Sequence, residues 1–97
     1  MSQQYFVIVL EPEFAEQRGR LLQELIRSGV PVDAPETKFL LCSKCDVSGR
    51  MVELEVEPHS HGEKHMLFVH HKDISLVLQI HDPKKPLGFL SSNEPRE

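Results

Sequence analysis

"RMVELEVE", residues 50–57, alternates without a break. Val52, Leu54 and Val56 fall on one side, and Glu53, Glu55 and Glu57 on the other. Successive strand side chains point to opposite faces of a sheet, so a period of two marks a strand with one dry and one wet face. The stretch therefore predicts a sheet that needs a covering layer on the valine side and meets water on the glutamate side.

Its neighbours extend that sheet. Downstream, "MLFVHHK", residues 66–72, reads as a second strand, and Asp73 marks a tight corner. "ISLVLQI", residues 74–80, alternates again, with Ile74, Leu76, Leu78 and Ile80 expected on one face before Asp82-Pro83 stops it. His70 and His71 are adjacent on a strand, so one is expected toward the core and one toward solvent. Upstream, "DVSG", residues 46–49, is a turn signal after the short apolar run "KFLLC", residues 38–42. Near the start, "YFVIVL", residues 5–10, is apolar on both faces and predicts a central strand covered on both sides.

Between these runs lies one helical pattern. In "EFAEQRGRLLQELIRSG", residues 13–29, Phe14, Leu21, Leu22, Leu25 and Ile26 share a face. Pro12 suits its first turn and Gly29 its C-terminal cap. Gly19 inside it costs about 1 kcal/mol relative to alanine. "VPVDAPET", residues 30–37, is a proline-containing connection. The fold expected is α+β: an N-terminal strand and helix followed by a mainly antiparallel sheet of about four strands. If "YFVIVL" pairs with "KFLL", the helix is a right-handed crossover between parallel neighbours. One small domain is expected over residues 1–90, and a polar, frayed tail over 91–97. Leu87, Phe89 and Leu90 are expected to pack on the domain or on a partner.

With 39% hydrophobic and 27% charged residues, the chain has the composition of a globular protein. A net charge of −4 argues against non-specific attraction to nucleic acid or an acidic membrane. Two cysteines make no disulfide framework. The opening "MSQQYFVIVLEPEF" has no basic region before its short apolar run, so a cytoplasmic protein with reduced thiols and no membrane span is expected.

"CSKC", Cys42 to Cys45, is followed after fifteen residues by His61 and after three more by His65. Two thiolates and two imidazoles at this spacing can supply the tetrahedral ligand set of a structural zinc, with His59 as a substitute ligand. The loop "PHSHGEKH", residues 58–65, is a poor helix, and the aromatic residue of the familiar zinc finger is replaced by Gly49. The plainer reading, and the favoured one, is two ordinary thiols near a strand end beside a wet, histidine-bearing loop. The geometric question is whether the chain turns at Ser43-Lys44 or runs on as a strand. In an uninterrupted strand the two sulfurs face opposite ways. A redox role is disfavoured because no helix follows Cys45 to lower a thiol pKa.

The stretch "MLFVHHKDISLVLQI", residues 66–80, has an apolar strand, a polar corner at Lys72-Asp73 and an alternating strand that starts with isoleucine. Over residues 38–81 the chain loosely resembles a small Sm-like or SH3-like barrel. The Sm-like resemblance implies an oligomeric RNA-binding ring. The strand ahead of the helix departs from that family, and no position matches its base-contacting motif. With no catalytic motif in view, the expectation is a non-enzymatic interaction module that binds a protein partner or itself, as a homodimer, and carries a structural zinc if the cysteines converge. The alternatives are an Sm-like RNA-binding protein and a small enzyme using a cysteine or histidine.

Overall fold

A computed structural model describes residues 4–29, 32, 34, 36–59 and 62–82. His61, the Leu87–Leu90 segment and the tail from residue 91 lie outside them. The first apolar run forms β1 (Tyr5–Leu10) and leads through Glu11 into α1 (Pro12–Arg18). Five further strands follow: β2 (Ile26–Arg27), β3 (Phe39–Asp46), β4 (Met51–Val56), β5 (His65–His70) and β6 (Ile74–Ile80). They make one sheet in the order β5-β4-β3-β1-β6, with β2 paired to β3. The α+β class and the mainly antiparallel sheet stand, with six strands in place of the smaller number expected.

Every pairing is antiparallel. The parallel crossover is therefore replaced: Phe6 lies opposite Cys42 and Val9 opposite Phe39, with β1 and β3 running in opposed directions. The helix is also shorter than its periodicity suggested. It ends at Arg18, and Gly19 to Leu25 continue as turns. Helical spacing persists there in the bonds from Leu22 N–H to Arg18 C=O and from Ile26 N–H to Leu22 C=O. Gly19 supplies the weak point. Ile26 and Arg27 then leave the helical path because β3 offers them a ladder at Leu40 and Phe39. Gly29 has a φ of 97°, but it follows a short strand and caps no helix. The left-handed conformation there is why glycine is needed.

Alternation along β1 divides the core in two. Ile8 and Leu10 join Leu40, Cys42, Val52, Leu54, Val56 and Val69 under the helix-side residues Ala15, Leu22 and Leu25. Val7 joins Phe39, Leu41, Ile80 and Val32 on the other face. β1 is thus the central strand, covered on both sides, that its sequence predicts. In β4 the valine–leucine side is buried, while Glu53 is exposed and Glu55 and Glu57 are partly so.

β6 departs from strict alternation. Val9 lies opposite Leu76 and Leu10 opposite Ile74, so Ser75 is an extra residue in the ladder. The bulge sends Ile74 to the helix-side cluster, whereas Leu78 and Ile80 pack in the other. The expected single face of Ile74, Leu76, Leu78 and Ile80 is therefore split. His70 ends β5 and His71 opens a 3-10 turn to Asp73, so both histidines are exposed and neither faces the core. The Asp73 carbonyl accepts the Glu11 N–H at 2.9 Å, which ties this corner to the start of α1. Among the described residues no helix is long and apolar enough to cross a membrane.

Phe39 is wholly buried beside β1. Phe39→Ala is expected to lower the unfolding free energy by about 3–5 kcal/mol, read as a lower midpoint in urea.

Candidate functional site

The strand β3 runs straight through "CSKC". No knuckle forms at Ser43-Lys44, yet the two cysteines do not face apart. Cys42 lies opposite Val56, Lys44 opposite Glu55 and Cys45 opposite Leu54, with a shift in register between Cys42 and Lys44. Ser43 is the extra residue. Its hydroxyl donates to Glu55 Oε1 at 2.6 Å, which ties the bulge to the wet side of β4. That bond is the main cause holding the Glu55 carboxyl below its ordinary range. A bulge re-phases the side chains beyond it. Val56 and Leu54 share the buried face of β4, so Cys42 and Cys45 both turn toward the helix-side core.

Their surroundings set their chemistry. Cys42 is fully buried and Cys45 partly so, and both thiols are free. Burial pushes the Cys42 thiol far above its ordinary value, and nearby Cys45 and Glu57 add to the rise. Arg27 offsets part of it. Burial and then Asp46 raise the Cys45 thiol. Thiols kept protonated are poor nucleophiles. Two histidines have ring hydrogen bonds to backbone carbonyls. His59 Nε2 meets Ile26 O at 2.6 Å, and His71 Nε2 meets Gly49 O at 2.8 Å.

The histidines proposed as ligands stand at different places. His65 lies opposite Val56, which in turn lies opposite Cys42, so one valine stands in the row between them. His59 is engaged with the β2 backbone, and His61 falls outside the described residues. Among the described residues no group of three or more His, Cys, Asp and Glu side chains could hold a metal ion.

The periodic reading missed Arg27. Arg27 falls outside the apolar stripe of the helical pattern over residues 13–29, and β2 turns it across the sheet end. Its Nη2 donates to Pro58 O at 3.0 Å and Glu57 O at 3.3 Å, while its Nε is buried with no partner. Burial lowers the guanidinium pKa, and Glu57 opposes that shift. Lys64 Nζ lies 3.2 Å from Glu57 Oε2. Arg27 thereby fastens β2 to the chain leaving β4. Only the tertiary pairing of Ile26 and Arg27 could have revealed this role.

The other feature is an exposed apolar surface. Met66 and Phe68 are each 54% exposed, on the face of β5 that continues the Glu53 and Glu55 side of β4. At the opposite end of the sheet, Leu76 is 47% exposed on β6. The sequence signalled a strand at "MLFVHHK" but gave no hint of its open side, because apolar residues occupy both faces.

Cys42 retains its proton in the folded chain to higher pH than in the unfolded chain. Its contribution is therefore complete at neutral pH. It is lost as pH climbs above about 8.5, where unfolded thiols ionise first. Thermal melts across this range are expected to fall more steeply for the wild type than for Cys42→Ala, with the difference absent at neutral pH. Equal slopes would show that the thiol does not titrate with unfolding. No protein family model, curated protein or solved structure matches the chain.

Proposed function

We propose that this chain is a non-enzymatic interaction module whose working surface is the open β4–β5 face. The observation that carries the reading is the pair Met66 and Phe68, each 54% exposed on the same face of one edge strand. Large apolar side chains grouped on an open face mark contact with another protein more often than they serve the fold. Glu53 and Glu55 beside them on β4 give that surface an acidic rim. The raised thiol pKa values of Cys42 and Cys45 argue against the small-enzyme alternative in its cysteine form.

The test is the double substitution Met66→Ser with Phe68→Ser. If these residues serve an interface, unfolding free energy stays within about 0.5 kcal/mol of wild type. Binding of an apolar fluorescent dye should fall at least about twofold as the exposed patch is removed. A loss on the order of 3 kcal/mol would make them core residues and end this reading.

The cysteines enter the proposal as core side chains. Metal analysis of untagged protein, with melting before and after a chelator, checks this. Less than about 0.1 zinc per chain and an unchanged melting temperature are expected. About one zinc per chain, with melting lowered by the chelator, would put the structural-zinc reading in its place.

A second reading, an Sm-like RNA-binding protein, rests on one observation. "MLFVHHKDISLVLQI" forms two strands joined by a single 3-10 turn, and those strands stand at opposite ends of the sheet. The net charge of −4 weighs against it. Titration with single-stranded RNA at low salt separates the two readings. No binding is expected, and salt-dependent binding would favour the Sm-like alternative.

A further inference from the structure

Among the described residues β5 is paired on one side only, with β4, in an unbroken register from Met51 opposite His70 to Val56 opposite His65. An edge strand presents unpaired N–H and C=O groups, and soluble chains guard such edges with lysine, proline, inward charge or a bulge. The other edge, β6, has a bulge at Ser75. β5 has neither a bulge nor, in "HMLFVH", any lysine, proline or carboxylate.

We infer that β5 pairs antiparallel with β5 of a second copy of this chain, about a two-fold axis at Leu67. This deepens the reading of the β4–β5 face as an interaction surface, and rests on it, by naming the partner and the register. A two-fold axis normal to the sheet keeps like faces on one side. Residues opposite one another then have numbers of the same parity, and three registers are central.

Centred on Leu67, the pairing sets Met66 against Phe68 of the second copy, twice, on the wet face. Sulfur–aromatic contacts of this kind are favourable. Within the strand, His65 comes opposite Val69 and Leu67 opposite Leu67 of the second copy, so the ladder stays inside β5. Centred on Phe68, the pairing opposes Met66 to His70 within the strand and forfeits the sulfur–aromatic pairs. Centred on Met66, it sets Phe68 against Lys64 and forfeits the sulfur–aromatic pairs. Of the three, the first register alone sets the two exposed apolar side chains, Met66 and Phe68, against each other twice, which is why the occupant is a second copy. A six-residue edge makes a contact at the small end of specific interfaces, so a dissociation constant of about 10–100 µM is expected.

The experiment uses the whole chain in sedimentation from about 1 to 500 µM, a span that brackets this affinity. The wild type is expected to pass from monomer to dimer. M66K/F68K sets lysine against lysine and is expected to weaken the dimer at least tenfold. M66E/F68K sets glutamate against lysine twice and is expected to restore it. Hydrogen exchange on the wild type should show β5 amides protected as concentration rises, a readout that depends on no variant. A wild type that stays monomeric throughout, or that forms larger closed rings, overturns the pairing. Dissociation by M66K/F68K without rescue by M66E/F68K, or with β5 amides unprotected, overturns the pairing and leaves the interaction face standing. A dimer that M66K/F68K does not weaken overturns both.

Discussion

The double pairing of β1 is the constraint on which the rest depends. Its hydrogen bonds hold β3 on one side and β6 on the other. Its side chains feed both cores, Ile8 and Leu10 to the helix side and Val7 to the other. β6 has no other paired neighbour among the described strands, so its place in the sheet is set by β1 alone. The helix-side layer is tied to the same strand through Glu11, whose N–H is held by the Asp73 carbonyl. A polar substitution in β1 would thus disturb two interfaces and two cores at once, in keeping with the unbroken apolar run from Phe6 to Leu10.

Much of this arrangement was legible because burial and alternation speak the same language. "RMVELEVE" states its dry and wet faces residue by residue, and the sheet obeys it. The failures cluster where one extra residue shifts the phase. Ser43 in β3 and Ser75 in β6 each add a residue to one side of a ladder. A rule of period two then assigns Cys45 and Ile74 to the wrong face. A serine inside a strand is no distinctive mark of a bulge, so the sequence offered little warning. The helix failed for another reason. Its apolar stripe continued past Gly19, but Ile26 and Arg27 were claimed by β3, and competition between local periodicity and a distant strand is not visible in a window of residues.

The cysteine motif shows how two opposite expectations can both miss. The choice lay between a turn with converging sulfurs and a strand with diverging ones. The chain instead keeps the strand and still places both thiols on one face. That outcome gives the pair a packing role, with the deeper thiol enclosed and the outer one near the edge of the core. The histidines meanwhile serve local ends: His59 meets the β2 backbone and His71 the β3–β4 turn. Among the described residues, His59, His65, His70 and His71 lie at the sheet margin and in its loops.

The pairing of first strand with last has a kinetic side. Tyr5 meets Ile80, so nearly the whole described chain must be made before β1 gains its second neighbour. Hairpins of β3 with β4 and β4 with β5 close over short loops and can form early. The β1–β6 ladder closes over the longest span in the fold, and such non-local contacts slow folding because chain entropy is lost before the contact is made. Until then the most apolar strand of the protein has one edge open. Synthesis therefore exposes "YFVIVL" ahead of the other described strands, and the time needed to deliver β6 sets how long its second edge stays open.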